Sequence, residues 1–407
     1  MSMKNVVLVC LFLLVVSCHK EQSAVVPPWG AATDSTGQRF GLSDILQQGE
    51  LIALTLSGPE NYYEYRGRQQ GTQYLLCQKF AQHLGVGLRM EVCRDTLELI
   101  DRLRQGDGDL VAVRLKSAND DLLSVADGWL VSSENSDLAE RIVEWYSPDL
   151  LKQATREEQL SITAPVTRRA SAPMLDKSRG LISIYDNLFR QYAAICGWDW
   201  RLIAAQCYQE SGFDKNARSW AGACGLMQIM PSTADHLRLP RNQLFEPAPN
   251  VEAACRYLRE LEGVFSDITN AEQRKMFVLA AYNGGAHHVR DAMALARKYG
   301  KPANQWNSVA MFVLRLRQAA FYNDPVVRYG YMRGDETVNY VAGIFSRYST
   351  YSGAAPVSLP TASALPAPPL PSQETHADAG QPPVPKAKLG PGVPQKATKR
   401  HRFQVDE

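Results

Sequence analysis

Residues 204–234 read AAQCYQESGFDKNARSWAGACGLMQIMPSTA. Extended backwards to Asp199, the stretch begins as DWRLIAAQCYQES, in which Ile203, Cys207 and Glu210 recur at i, i+4 and i+7. That spacing puts a carboxylate on the apolar face of a helix. Burying a charge there is costly unless it is paired or has a task. Desolvation is expected to raise its pKa, so that it stays protonated near neutral pH and serves as a general acid. Ser211-Gly212 stops the helix just beyond it, so the carboxyl is expected at a helix end that opens onto a loop. Taken alone, such a glutamate is more often a structural ion-pair partner.

Other motifs change that weighing. Gly225-Leu226-Met227-Gln228 follows within the same stretch, Ala281-Tyr282-Asn283-Gly284-Gly285 comes next, and Tyr340 lies late in ETVNYVAGIFSRY. From Gly180 to Tyr351 the pattern is helical throughout, with Gly or Asn closing helices. These four motifs, in this order, resemble those of the soluble-lytic-transglycosylase fold, a lysozyme-like family. The resemblance implies an all-helical catalytic domain over residues 180–352 with Glu210 as its single acid/base. Glu210 would protonate the oxygen joining N-acetylmuramic acid to N-acetylglucosamine. It would then take the proton of the muramoyl 6-hydroxyl as that oxygen closes on the anomeric carbon, leaving a 1,6-anhydromuramoyl end. Ser211 and Tyr340 would hydrogen-bond the glutamate or the reacting sugar. Gly225, Leu226, Met227, Gln228, Tyr282 and Asn283 would line the glycan cleft. No cofactor is implied.

Residues 45–165 read differently. LIALTL, residues 51–56, is a buried strand, and after a Gly-Pro turn come Tyr62, Tyr63 and Tyr65. A helix over TQYLLCQKFAQHLG, a strand from Leu88 to Val92, a helix from Thr96 to Arg104 and a strand from Asp109 to Val113 complete an alternating α/β pattern. The segments GELIALTL, YRGRQQGTQYLLCQKFAQHLGV and RLRQGDGDLVAVRL resemble the first lobe of periplasmic solute-binding domains that recognise amino acids. Members of that family pass into a second lobe before returning. Here Gly128-Trp129-Leu130-Val131 and SDLAERIVEWYS already look like the return, and Arg114, in RLKSANDD, falls too early for the family's carboxylate-binding arginine. Residues 45–165 are therefore expected to be a truncated regulatory or scaffolding module rather than a working receptor. A muropeptide or an amino acid is the class of effector it would meet. The fold class expected is thus an N-terminal α/β solute-binding-like lobe followed by an all-helical lysozyme-like domain, with residues 166–179 as linker. The combination, with AAYNGG, GYMRGDE and YVAGIF, looks like the membrane-bound lytic murein transglycosylase F group, with a shortened N-terminal domain.

The two ends carry the remaining expectations. Lys4 precedes an apolar run from Val6 to Val16, too short to span a bilayer and read as a signal-peptide core. Val15-Val16-Ser17-Cys18 resembles a bacterial lipobox, so residues 1–18 are expected to be a lipoprotein signal. Cys18 would be the lipidated first residue of the mature chain, anchored without a membrane-spanning helix. His19-Lys20, in place of an aspartate after the cysteine, favours the periplasmic face of the outer membrane. Residues 19–44 read as a tether. Residues 353–407, rich in Pro and Ala and then basic from Lys386 to Arg402, read as a disordered tail.

Composition bounds the alternatives. With 45% hydrophobic and 21% charged residues the chain is ordinary globular protein, and a net charge of +2 gives no overall field to attract a nucleic acid. Six cysteines lie beyond Cys18, namely Cys77, Cys93, Cys196, Cys207, Cys224 and Cys255; they could pair or act as apolar filler, and no CxxC or Cys/His cluster suggests a metal. His287-His288 point to different helix faces, and metal is the weaker reading there. Asp214 could be a second carboxylate for hydrolysis, but a turn role is favoured. The competing functions are a lysozyme-type hydrolase on the same fold, a non-catalytic muropeptide or amino-acid receptor, and a tether between membrane and wall.

Overall fold

The computed structural model describes residues 41–65, 67–115, 120–163, 172–176 and 178–363. The signal segment with Cys18, residues 19–40 of the tether, and the basic stretch from Lys386 lie outside the described residues.

The N-terminal part is an α/β lobe. Its helices are α1 (Leu42–Gln48), α2 (Thr72–Leu84), α3 (Thr96–Gln105), α4 (Ser136–Trp145) and α5 (Pro148–Thr163). Its strands are β1 (Glu50–Leu56), β2 (Tyr63–Tyr65), β3 (Arg68–Gln70), β4 (Gly87–Cys93), β5 (Leu110–Val111), β6 (Leu122–Ser124) and β7 (Leu130–Ser132). Five strands form a sheet in the order β4-β1-β5-β7-β6. β1 runs parallel to β4, from Glu50 opposite Gly87 to Leu56 opposite Cys93, and parallel to β5, while β7 is antiparallel to β5 and β6. Helices cover the sheet, so Leu51, Ile52, Ala53 and Leu54 are all fully buried. This is why β1 reads as an unbroken apolar run rather than an alternation. β7 is the return expected at Leu130. α1 begins at Leu42 and buries Ile45, so the tether gives way to the lobe before residue 44.

Arg114 is engaged within the lobe. It bonds Asp127 at 2.9 Å and Glu60 at 3.2 Å, and Asp127 also accepts from Gln73, whose amide oxygen takes the Trp129 indole N–H at 2.6 Å.

The second part is helical: α6 (Asp186–Cys196), α7 (Trp200–Ser211), α8 (Pro231–His236), α9 (Pro247–Val264), α10 (Ala271–Gly284), α11 (Ala286–Lys298), α12 (Trp306–Arg315), α13 (Ala319–Tyr322) and α14 (Gly334–Ser352). One apolar core, with Phe189, Phe265, Phe277, Trp306, Phe312 and Phe345 fully buried, joins these helices and is separate from the two clusters of the lobe. α7 packs against α6 and α14. Its first turn is capped by the Asp199 carboxylate, which accepts from Arg201 N, and it ends at Gly212 in the left-handed conformation. The chain beyond α14 stays attached for a few residues: Leu359 packs on the core and Ala362 N donates to Asn339 Oδ1. The tail expected from residue 353 therefore begins later.

The loop between α7 and α8 turns sharply, with positive φ at Phe213, Gly222, Gly225 and Gln228. Asn250 on α9 fixes it from beneath. Fully buried, it accepts from Met227 N at 2.8 Å and donates to the carbonyls of Cys224 and Leu244. A Cβ on Gly225 would lie 2.4 Å from the Leu244 carbonyl oxygen, which together with φ of 79° explains the glycine. We predict that Asn250→Ala, which strands these buried backbone groups, lowers stability by about 3 kcal/mol in denaturant unfolding. A loss within experimental error would show that the loop is held by something else.

Candidate active site

Glu210 occupies the last turn of α7 and is half-buried. From α14, the Tyr340 hydroxyl donates to Glu210 Oε1 at 2.5 Å, and Gln206, one turn earlier on α7, donates to the Tyr340 oxygen at 3.2 Å. Burial, reinforced by the Glu210 carboxylate, pushes the Tyr340 phenol well above its ordinary range. Tyr340 is therefore a fixed neutral donor. Tyr282 at the end of α10 is shifted the same way for the same two reasons, and its hydroxyl donates to the Met227 carbonyl at 2.8 Å. Asn283 Oδ1 accepts from Thr337 at 2.7 Å, tying α10 to α14. Gly284 lets these segments meet, since a Cβ there would lie 2.3 Å from Met332 and 2.6 Å from Thr337 Oγ1.

These groups open into a cleft of about 870 Å³. Glu210, Gln228, Tyr282, Asn283 and Tyr340 line it. Four other expected residues are placed elsewhere. Ser211 is fully buried and its hydroxyl donates to the Cys207 carbonyl at 3.2 Å, because one residue after Glu210 the helix has turned its side chain into the core. Leu226 and Met227 are fully buried core residues, and Met227 serves the cleft through its backbone carbonyl. Gly225 shapes the turn behind Gln228. Asp214 Oδ1 accepts from Asn216 N at 2.9 Å, in the turn arrangement favoured above.

The sequence reading missed several lining residues. Tyr257 and Asn339 join from helices α9 and α14, Tyr329 and Met332 from the loop before α14, and Tyr62, Tyr63, Glu64 and Tyr65 come from the α/β lobe. The tyrosine cluster was visible in the sequence, but nothing local said which surface it would meet. His287 stacks on Tyr329 at 4.2 Å, while His288 is buried. All six cysteines beyond Cys18 are unpaired in the structure, and five of them are buried.

Burial and the neighbouring His287 push the His288 imidazole down to about 4. A histidine whose folded pKa lies below its unfolded value binds a proton more readily when unfolded. Its contribution to stability is then complete above about pH 6.5 and is lost as pH falls toward 4. We predict that between pH 7 and pH 5 the protein loses about 2 kcal/mol that a His288→Leu variant does not lose. Parallel pH profiles of the two would contradict this.

Comparison with known proteins places the helical domain. The Transglycosylase SLT domain family matches residues 187–305. A membrane-bound lytic murein transglycosylase F of Desulfosudis oleivorans is 41% identical over 152 residues, 37% of this chain and 33% of that protein. The chain thus spans about a third of that relative's length in the match. A protein of the same name from Aeromonas hydrophila is 24% identical over 76% of this chain and 83% of its own length, reaching into the α/β lobe. Among solved structures, the 70 kDa soluble lytic transglycosylase of Escherichia coli is 25% identical over 51% of this chain and 29% of its own, with a TM-score of 0.29. Residues 187–305, which hold Glu210, Gln228, Tyr282 and Asn283, match the Transglycosylase SLT domain family, within a chain similar to the membrane-bound lytic murein transglycosylases F.

Proposed function

We propose that the protein is a peptidoglycan lytic transglycosylase, a carbon–oxygen lyase that cleaves the β-1,4 bond between N-acetylmuramic acid and N-acetylglucosamine. Residues 180–352 are its catalytic domain and Glu210 its single acid/base. The observation that carries this reading is the Tyr340 hydrogen bond to Glu210 inside the cleft. With Oε1 accepting the phenol hydrogen, the other carboxyl oxygen is the one that would carry the acid proton to the glycosidic oxygen. Once ionised by that transfer, Glu210 removes the proton of the muramoyl 6-hydroxyl, whose oxygen bonds to the anomeric carbon. No water is activated on the opposite face, so one carboxyl suffices where most glycosidases need a pair. Gln228, Tyr282 and Asn283 supply the polar wall that orients the sugar rings.

The chain would act on the periplasmic face of the outer membrane, held there by lipid on Cys18. No helix among the described residues is long and apolar enough to cross a membrane, and the relatives cited above are named membrane-bound. The α/β lobe, residues 45–165, is read as a scaffold. Its hairpin residues Tyr63 and Tyr65 line the catalytic cleft, which supports that reading.

Glu210→Gln keeps the shape of the acid but cannot donate its proton. Turnover is predicted to fall by roughly 10²–10⁴-fold or more, with binding to sacculi retained. Tyr340→Phe is predicted to lose less, about 10- to 100-fold, the worth of one hydrogen bond to a charged group. Release of soluble anhydromuropeptides from sacculi, measured by mass spectrometry with melting temperature as the folding control, checks both. Anhydro ends formed by Glu210→Gln at near the parent rate would assign the acid to another residue, and reducing muramic acid ends from the parent would make it a hydrolase. Cys18→Ala is predicted to abolish palmitate incorporation and detergent-phase partitioning. Unchanged labelling would remove the anchor from this reading.

A further inference from the structure

Gln206 is a polar side chain with no exposure at all, in the middle of α7, where Leu202, Ile203, Ala205 and Cys207 around it are apolar and buried. Its amide makes one hydrogen bond, from Nε2 to the Tyr340 oxygen at 3.2 Å. Among the described residues nothing donates to its Oε1. A buried amide oxygen without a partner is costly, and an aliphatic side chain of similar size would fill the same space without that cost. Stability therefore does not explain a glutamine at this position.

What the amide does is set the direction of the hydrogen bonds that run through Tyr340. Among the described residues the Tyr340 hydroxyl bonds two groups, the Gln206 amide at 3.2 Å and Glu210 Oε1 at 2.5 Å. A phenol has a single hydrogen to give. While Gln206 Nε2 donates to the phenol oxygen, that hydrogen points away from the amide and onto Glu210. The reverse arrangement, in which the Glu210 carboxyl gives its own proton to the Tyr340 oxygen, would turn the phenol hydrogen against the amide hydrogens, and like partial charges repel. It would also lodge the acid proton inside the protein, away from the glycosidic oxygen. A donor behind the phenol has a second effect, because accepting a hydrogen bond polarises the hydroxyl and makes it a better donor in turn. Tyr282, the other phenol close enough for its charge to act on Tyr340, takes no part, since its hydrogen is committed to the Met227 carbonyl.

We propose that Gln206 is a positioning residue for the reaction: by donating to Tyr340 it fixes the direction of the hydrogen bond to Glu210, and so keeps the acid proton on the carboxyl oxygen that meets the sugar. α7 then supplies both the acid and, one turn earlier, the group that orients its proton. Without the amide donor both arrangements are open, and the share of molecules in the unproductive one is lost to turnover. The inference rests on the acid/base reading of Glu210.

The test is a double-mutant cycle on the full-length mature protein, with release of soluble products from purified sacculi followed as a function of sacculus concentration. Gln206→Met keeps the length of the side chain and removes the donor. It is expected to lower kcat about threefold to tenfold, the worth of one neutral hydrogen bond, to leave the half-saturating sacculus concentration unchanged, and to melt no lower than the parent. In a Tyr340→Phe background the same substitution is expected to cost less than about twofold, because no phenol hydrogen is left to orient. A Gln206→Met protein that turns over at the parent rate would overturn the inference. So would a loss repeated in full in the Tyr340→Phe background, or one that falls on the half-saturating concentration instead of kcat, since a merely structural role would act in those ways. Should Gln206→Met not fold, Gln206→Leu carries the same comparisons. Glu210→Gln, run alongside, separates the two readings: an active Glu210→Gln removes the acid/base reading and this inference with it, whereas an inactive Glu210→Gln beside a fully active Gln206→Met removes this inference alone.

Discussion

The hydrogen bond from Tyr340 to Glu210 is the contact around which the helical domain is arranged. It joins two helices, α7 and α14, that are about 130 residues apart in the chain, so neither sequence neighbourhood can form it alone. Its geometry depends on the seam between these helices, and the seam depends on the core they share with α6 and α10. Close approach is a condition of this arrangement. Gly334 opens α14 where a Cβ would meet the Val313 carbonyl at 2.2 Å, and Gly284 closes α10 where a Cβ would meet Met332. Burial keeps the Tyr340 phenol neutral and therefore a donor. A phenolate there could only repel the carboxylate.

Much of the architecture was readable from the chain because it follows from local pattern. The unbroken run LIALTL became the buried strand β1, and TQYLLCQKFAQHL became α2 with Gly85 at its end. The i, i+4, i+7 spacing placed Glu210 on the helix face that meets α14. What the pattern could not resolve was depth within a motif. Gly-Leu-Met-Gln reads as one cleft-lining unit, yet only Gln228 reaches the cleft, because the turn at Gly225 sends Leu226 and Met227 inward. Ser211, expected to support Glu210, is turned into the core for a related reason: adjacent positions on a helix differ by about 100° in direction. Asn250 carried no local signal at all. An asparagine in the second turn of a helix reads as a surface residue until the loop that it holds is seen.

The lobe shows the same limit over a longer range. Its sheet and its return strand were legible, as was the early place of Arg114. The meeting of Tyr63 with Tyr331 and of Tyr65 with Trp220 was not. That contact spans more than 150 residues in sequence and uses side chains that would be unremarkable on either surface alone. Aromatic rings with a polar handle suit such a junction, since they bury area and still satisfy their hydroxyls. Tyr63 does so on Glu158 and Tyr65 on Glu336.

The α/β lobe is thus part of the cleft rather than an appendage to it. A receptor of two lobes requires a mobile hinge and an open ligand site between jaws. The hairpin here is fastened from behind by a buried glutamate and in front by both banks of a cleft. Those features oppose motion. They suit a wall that holds its position beside Glu210, because aromatic rings packed on both sides leave the hairpin no free face along which to slide.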